Sequence, residues 1–187
     1  MGGNRLAVSA SGEIRRSSST RNDWETPQWL FDILNEEFNF TLDAAASPLN
    51  TKCKVFITKE QNALDPRNSW LVGPNESIWL NPPYGGRDLS SWVSRCFLES
   101  KSGRVVVALL PVATGTMWFR DVFYTASEIR FITGRVNFVG STSGNTSDSM
   151  IVIWKPEQPV RLSPTVRLVR LNDLMRTSRP NLFRPGD

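Results

Sequence analysis

The segment that decides the fold runs from residue 77 to residue 110 and reads SIWLNPPYGGRDLSSWVSRCFLESKSGRVVVALL. Residues 77–80 have strand character, and Pro82 and Pro83 stop the strand because proline lacks the N–H that a sheet needs. Apolar side chains then recur at helical spacing, at Leu89, Trp92, Val93, Cys96 and Phe97. Residues 104–110 are an almost continuous apolar run, typical of a strand buried on both faces. This order predicts a βαβ unit.

The same alternation extends to both sides. Thr26 is expected to cap a helix whose first residue is Pro27, and one face of that helix is apolar, with Leu30, Phe31, Leu34 and Phe38. A short strand is predicted at residues 40–43, and the small residues 44–47 follow it. Downstream, a helix with an apolar face precedes predicted strands at 129–132, 136–139 and 150–154, of which the last two are joined by the polar loop 140–148.

These elements predict an α/β fold, a three-layer αβα sandwich with a mostly parallel sheet and an antiparallel β-hairpin at its edge. Residues 1–22 are rich in Ser, Gly and Arg and are expected to be a flexible basic arm, residues 23–156 to be one domain, and residues 157–187 to be a basic C-terminal extension. In such sheets ligands bind beyond the carboxyl ends of the strands, which is where residues 43–47 and 81–86 are expected.

The composition excludes several kinds of site. The 187 residues carry 22 Lys and Arg against 18 Asp and Glu, and this net charge of +4 suits an anionic partner. Histidine is absent, which excludes imidazole bases and His-ligated metals. Two cysteines, Cys53 and Cys96, are too few for a four-cysteine metal site, so no metal is expected. The sequence shows neither a membrane span nor a signal peptide, and we expect a cytoplasmic protein without a membrane partner.

The segment with the clearest chemistry is Asn81-Pro82-Pro83-Tyr84. The prolines fix the backbone, so that the Asn81 side chain and the carbonyl of Pro82 form a rigid pair of acceptors beside the ring of Tyr84. An exocyclic amine on a heterocycle is a poor nucleophile because its lone pair is delocalised into the ring. Two acceptors directed at its N–H groups favour a tetrahedral, more nucleophilic nitrogen. The alternative is a proline-stiffened turn without chemistry.

Five segments, in the same order, resemble the phage-type DNA N-6-adenine-methyltransferase (Dam) family over about residues 23–156. They are WETP with Leu30-Phe31 (24–31), LDAAA (42–46), ALD with Trp70 (63–70), WLNPPYG (79–85) and GRVNF (134–138). The residues 81–84 are similar to the catalytic motif of the S-adenosylmethionine-dependent amino-methyltransferases, in the Asn form of the adenine-N6 enzymes. The resemblance implies a Rossmann-like methyltransferase fold, S-adenosyl-L-methionine as cofactor, and transfer of a methyl group to the N6 amine of an adenine in DNA.

The resemblance also implies residue roles. The catalytic residues would be Asn81, Pro82, Pro83 and Tyr84, and the cofactor-binding residues Thr26, Pro27, Asp43, Ala44, Ala45 and Asp65. Asp43 matches the acid that receives the amino group of the cofactor, Thr26 matches the segment beside its methionine end, and Asp65 matches an acid near its adenine. Structural alternatives stay open, since Thr26 is a good cap in any protein and Asp65 before Pro66 could be a turn residue.

Nucleic-acid contacts are predicted from chemistry. An adenine inside a duplex has to be flipped out, at a cost of about a few kcal/mol, and stacking on Tyr84 would offset part of that cost. The arginines expected to bind phosphate are Arg87, Arg120 and Arg135, with Arg15, Arg16 and Arg21 of the arm.

Two other functions stay open. The same four residues would serve an amine in RNA or the side chain of a protein glutamine. The turn at 43–47 contains no glycine, unlike the glycine-rich turn of the wider superfamily, and this keeps a non-catalytic DNA-binding relative as the second alternative. Neither the recognition sequence nor the oligomeric state can be read from the chain.

Overall fold

The computed structural model of the chain describes residues 25–70, 76–84, 89–140, 147–156 and 163–177. Arg87, the arm at 1–22 and most of the loop at 140–148 lie outside these ranges. The helices in the described part are α1 (Gln28–Phe38), α2 (Leu89–Lys101), α3 (Met117–Thr125) and α4 (Leu171–Thr177). The strands are β1 (Leu42–Asp43), β2 (Val55–Phe56), β3 (Ser77–Leu80), β4 (Val105–Pro111), β5 (Glu128–Thr133), β6 (Ser149–Trp154) and β7 (Thr165–Arg170). None of these helices is long and apolar enough to span a bilayer.

The strands form one sheet in the order β2-β1-β3-β4-β6-β5-β7. Strands β1 to β4 are mutually parallel, and β5 pairs with β7 in parallel. Strand β6 is antiparallel to both of its neighbours, β4 and β5, so β5 and β7 point in the same direction as β4. Within the described strands the carboxyl ends of β1, β3, β4 and β5 therefore lie at the same edge of the sheet.

Helices cover both faces of the sheet. Alternate residues of β4 point to opposite sides, since Val106 and Ala108 belong to one buried cluster and Val107 and Leu109 to the other. The first cluster includes the apolar residues of α2 and α3. The second includes those of α1, with Leu171 and Leu174 of α4 packed against it. This arrangement confirms the predicted three-layer sandwich.

Two local predictions were wrong, one on the strand at residues 136–139 and one on the start of α1. Residues 136–139 were expected to form a strand paired in a hairpin with residues 150–154, but they make an isolated antiparallel bridge, Glu25 with Val139. Strand β6 pairs with β4 and β5 instead, because all six of its side chains are buried and such a strand is best covered in the sheet interior. The outer position after β5 is taken by β7, whose residues are mostly exposed.

The start of α1 also differs from the prediction. The helix begins at Gln28, and Pro27 occupies the capping position with an extended backbone (φ −57°, ψ 137°) and no side-chain hydrogen bond to the helix end. The carbonyl of Pro27 accepts from the N–H groups of Leu30 and Phe31 at 3.1 and 3.3 Å. Thr26 precedes the cap and is buried, so its hydroxyl is not used to cap the helix.

Candidate active site

Four segments come together at the carboxyl edge of the sheet. Three follow strands β1, β3 and β5, and the fourth precedes α1. Ala44, after β1, donates its N–H to the carbonyl of Trp79 at 3.0 Å, two residues before Asn81. Glu25 and Val139 exchange backbone hydrogen bonds of 3.2 and 3.0 Å, so the segment that contains Thr26 lies beside the one that follows β5. Backbone contacts thus tie Ala44 to the strand that precedes Asn81, and they tie Glu25, next to Thr26, to the segment after β5.

Asp43 is a buried carboxylate at the end of β1, with 3% of its surface exposed. Its oxygens accept N–H groups from Lys52 at 3.0 Å and from Ala45 at 3.4 Å. The Lys52 ammonium instead bonds the side chain of Gln28 at 3.1 Å, and no cation among the described residues forms an ion pair with Asp43. Burial raises the pKa of Asp43 from 3.8 to about 6. The site therefore holds a desolvated acid that would be stabilised by an added cation.

Thr26 has a buried hydroxyl without a hydrogen-bond partner in the described part of the chain. Buried hydroxyls are normally paired, because leaving one unpaired costs about 1–3 kcal/mol. Ser77, at the opposite end of β3, shares this property. At Thr26 the unpaired oxygen lies in the segment that reaches the carboxyl edge, where a ligand could provide the missing partner.

The segment after β3 places Asn81 and Tyr84 in direct contact. Pro82 is buried, Pro83 is exposed, and Asn81 and Tyr84 are half-buried. The Tyr84 hydroxyl lies 2.8 Å from Oδ1 of Asn81 and 2.9 Å from the backbone oxygen of Leu109 in β4. Burial raises the pKa of Tyr84 above its ordinary value. The hydroxyl end of this half-buried residue is therefore anchored inside the fold.

Phe138 and Leu109 contact Tyr84, and the sequence analysis gave neither residue a role, although Phe138 belongs to the family-like segment 134–138. The ring of Phe138 packs edge-on against Tyr84, with the centroids 6.1 Å apart. In residues 135–139 burial alternates, with Val136 and Phe138 inside and Asn137 and Val139 outside. The alternation of apolar and polar residues in GRVNFV is a signal that could have identified Phe138, whereas a backbone carbonyl such as that of Leu109 leaves no trace in the sequence.

Asp65 has a turn role in the structure. Its carboxylate accepts the N–H of Arg67 at 2.9 Å and forms an ion pair with the Arg67 guanidinium at 2.6 Å. This contact lowers the pKa of Asp65 to about 2. The flanking Leu64 and Pro66 line a surface pocket of about 360 Å³ together with residues of α2. A cofactor role for Asp65 stays a prediction.

Two of the predicted phosphate-binding arginines, Arg120 and Arg135, lie in the described part of the chain. Arg120 is an exposed residue of α3 whose guanidinium pairs with Asp121 at 3.1 Å. Arg135 is exposed in the segment after β5, and Arg87 lies outside the described residues. Across the described ranges, no three His, Cys, Asp or Glu side chains are grouped so that they could hold a metal ion.

Comparisons with known proteins identify the family of the chain. The profile of the family described as DNA N-6-adenine-methyltransferase (Dam) matches residues 14–179. A DNA N-6-adenine-methyltransferase of Haemophilus phage HP1 is 35% identical over 158 residues, which cover 78% of this chain and 87% of that protein. A second protein of that name, from Escherichia phage T1, is 30% identical over 146 residues, covering 70% of this chain and 59% of its own.

The fold has a solved counterpart. The crystal structure of a protein assigned as a class I S-adenosylmethionine-dependent methyltransferase from Listeria monocytogenes superposes with a TM-score of 0.50 at 13% identity, over 88% of this chain and 70% of that one. This likeness confirms the predicted Rossmann-like α/β fold. The segments expected from the sequence, the family profile that covers most of the chain, and the similarity to the HP1 protein lead to one assignment: the chain belongs to the DNA N-6-adenine-methyltransferase (Dam) family.

Proposed function

We propose that this protein binds S-adenosyl-L-methionine at Asp43 and Thr26 and uses Asn81 to methylate the N6 amine of an adenine flipped out of DNA. Methylation of adenine N6 in DNA is the activity of the family to which the chain belongs. The single observation that carries the site assignment is the junction of β1 and β3. There the buried acid Asp43 and the rigid segment 81–84 leave adjacent strands at the same edge of the sheet.

The cofactor fits two buried polar groups, Asp43 and Thr26. Asp43 would receive the ammonium group of the cofactor, because a buried carboxylate that forms no ion pair within the described ranges gains most from a cation. The Thr26 hydroxyl would bond a polar atom of the methionine portion, and Ala44 and Ala45, with small side chains, would allow its approach. When bound, S-adenosyl-L-methionine supplies an electrophilic methyl group.

Asn81 and Pro82 would act on the amine. The Asn81 side-chain oxygen and the Pro82 carbonyl accept from the two N–H groups of N6, and these hydrogen bonds strengthen as the nitrogen becomes tetrahedral. An interaction that is stronger in the transition state than in the ground state raises the rate. Pro82 is buried and its ring fixes the backbone, so these acceptors need little reorganisation when the base arrives.

DNA would be held by stacking and by charge. The half-buried ring of Tyr84 is proposed to stack on the flipped adenine, which is worth roughly 1–3 kcal/mol per base. Arg120 and Arg135 are exposed and are proposed to bind phosphates, together with Arg87. In this arrangement a phosphate would compete with Asp121 for the guanidinium of Arg120.

The experiment that tests this proposal compares acceptors. The full chain is incubated with S-adenosyl-L-methionine labelled on its methyl group and with adenine-containing DNA, an RNA of the same sequence, an adenine-free duplex or a glutamine-containing peptide. We expect label in the adenine-containing DNA, recovered as N6-methyldeoxyadenosine by mass spectrometry. Labelling of the RNA or the peptide at the same rate as the DNA would support the alternative in which the enzyme methylates an amine of RNA or of a protein glutamine. Cofactor-independent DNA binding without transfer would support the non-catalytic relative.

A further inference from the structure

The hydroxyl of Tyr84 is placed between two hydrogen-bond acceptors. It lies 2.8 Å from Oδ1 of Asn81 and 2.9 Å from the carbonyl oxygen of Leu109. A phenol has one proton, so it can donate fully to one of the two. The Leu109 carbonyl has no proton to give, whereas the Asn81 amide can also present its NH₂ group. Both contacts are fully satisfied when Tyr84 donates to Leu109 and accepts from the NH₂ group of Asn81.

The two arrangements differ by a half-turn of the planar amide, which leaves the shape of the side chain almost unchanged. In one, which is the arrangement in the structure, Oδ1 accepts from the Tyr84 hydroxyl. In the other, the NH₂ group donates to Tyr84, and Oδ1 is directed to the opposite side. Only the second presents an acceptor on that side, which is what the proposed reaction at N6 requires of Asn81.

We propose that Tyr84 is a positioning residue whose hydroxyl, held by the Leu109 carbonyl, selects the amide orientation of Asn81 in which Oδ1 accepts from the adenine amine. This inference rests on the function proposed above for Asn81. It assigns a role to the hydroxyl that is separate from stacking, which needs the ring.

Three features make the hydroxyl suitable for this role. Its carbonyl partner is in β4, and Leu109 is 0% exposed, so the anchor does not move with the surface. The edge-on contact with Phe138 restricts the Tyr84 ring. The hydroxyl is shielded from water, and in such surroundings an unmatched donor or acceptor costs more than it does in solvent.

The test replaces the hydroxyl and keeps the ring. Tyr84→Phe should lower the single-turnover rate of adenine methylation by about 10-fold to 100-fold, the range expected when a buried polar group loses its partner. The KM for DNA and the Kd for the cofactor should stay within about twofold, because stacking and cofactor contacts are retained. Tyr124→Phe is the matched control, since Tyr124 is 67% exposed on α3 and is the other tyrosine of the chain. It should keep the parent rate.

A second pair of variants tests whether the effect passes through Asn81. In Asn81→Asp the two carboxylate oxygens are equivalent and no orientation has to be selected, so adding Tyr84→Phe should cost less than about threefold. The same small additional loss is expected in an Asn81→Ala background.

The outcomes separate this inference from the proposed function. If the parent is active, three results would overturn the positioning role alone. Tyr84→Phe could keep the full rate, or its effect could be confined to the KM for DNA. Tyr84→Phe could also cause the same loss of rate in the Asn81→Asp and Asn81→Ala backgrounds as in the parent. A parent that transfers no methyl group to adenine would instead overturn the proposed function.

Discussion

Asp43 and Thr26 are polar residues that the fold buries without a complementary partner among the described residues. Within the described ranges, the carboxylate of Asp43 accepts two N–H groups but pairs with no cation, and the hydroxyl of Thr26 forms no hydrogen bond. Such groups lower the stability of the protein without ligand. The proposed ligand, with an ammonium group and polar atoms, would remove both penalties, so the atoms that destabilise the fold would favour its binding.

The acid makes stability depend on pH. The pKa of Asp43 is raised from 3.8 to about 6, so between these values the folded chain holds a proton that the unfolded chain has lost. The contribution of this group to stability therefore falls as the pH rises from about 4 to 6. Asn cannot ionise, so the free energy of unfolding of Asp43→Asn should rise relative to that of the parent by about 2 kcal/mol between pH 4 and pH 7. Urea unfolding at the two pH values measures this difference.

Ionisation of Asp43 should also affect cofactor binding, but in the opposite direction: a rise in pH that lowers stability should increase the affinity for the cofactor. Below about pH 6 the carboxyl group of Asp43 is neutral and the ammonium loses its partner, so the affinity of the parent should fall as the medium becomes more acidic. Asp43→Asn should bind weakly at every pH. A relative stability of the two proteins that is the same at pH 4 and pH 7 would show that Asp43 is not desolvated as described.

Thr26 allows a test in which stability and binding change in opposite directions. Thr26→Val removes the unpaired hydroxyl at nearly constant volume, and we expect a gain of about 1 kcal/mol in the free energy of unfolding without cofactor. Titration calorimetry should show about tenfold weaker binding of S-adenosyl-L-methionine, as expected for one lost hydrogen bond.

Ser77→Ala is the matched control, because the Ser77 hydroxyl is also buried without a hydrogen-bond partner among the residues that the structure describes, but lies at the far end of β3. It should stabilise the protein without weakening cofactor binding. The role given to Thr26 would be contradicted if Thr26→Val bound the cofactor as tightly as this control does.

At the scale of elements, the sequence predicted those segments whose burial is decided locally. The apolar side chains of α2 lie on one helix face, which has to pack against the core. The continuous apolar residues of β4 are buried on both faces, which places this strand in the middle of the sheet. The segment 136–139 has strand composition, but it packs its two buried residues under α1 and leaves β6 to pair with β5. Pairing partners depend on distant strands, and no local pattern records them.

The link from β5 to the segment with Phe138 depends on Gly134. This residue has φ +94°, and a Cβ built on it would lie 3.2 Å from Cβ of Leu171 in α4. Gly134→Ala should therefore lower the free energy of unfolding by about 1–3 kcal/mol, through backbone strain and the contact with α4.

Two other glycines separate the two causes. Gly103, after α2, has φ +95°, but no atom of the described ranges lies within 4 Å of a built Cβ, so Gly103→Ala should show the strain alone, about 1 kcal/mol. Gly115 has neither feature, and Gly115→Ala should be close to neutral. Chemical denaturation of the three variants measures the series, and equal losses at Gly134 and Gly115 would contradict the described packing.

At the scale of the whole molecule, an ion-pair network ties α1 to the far side of the sheet. Arg130 of β5 pairs with Glu37 at the end of α1 at 2.6 Å and with Glu128 at 2.9 Å. Glu128 also pairs with Arg167 of β7 at 2.9 Å. Together with the Glu25–Val139 bridge, these contacts hold both ends of α1, so the segment with Thr26 has a fixed position relative to β5.

The sequence predicted the family and its reaction better than the contacts inside the candidate site, whose residue roles stay predictions. The segment 81–84 could be interpreted because its prolines fix a local geometry, and Asp43 because a strand end followed by small residues has a known place in such sheets. The buried position of the Tyr84 hydroxyl depends on Leu109, which is 25 residues away, and could not be predicted. The turn role of Asp65, by contrast, could be predicted, since Asp before Pro already indicated a turn.

The most direct test of the central claim is a single-turnover measurement on Asn81→Ala with adenine-containing DNA and an adenine-free control duplex. The parent should form N6-methyldeoxyadenosine, and the variant should do so on the order of 100-fold to 1000-fold more slowly, the usual effect of removing one preorganised hydrogen bond to a transition state. Its Kd for S-adenosyl-L-methionine should stay within about twofold of the parent value. Full activity in Asn81→Ala, or N4-methylcytosine as the product of the parent, would contradict the account.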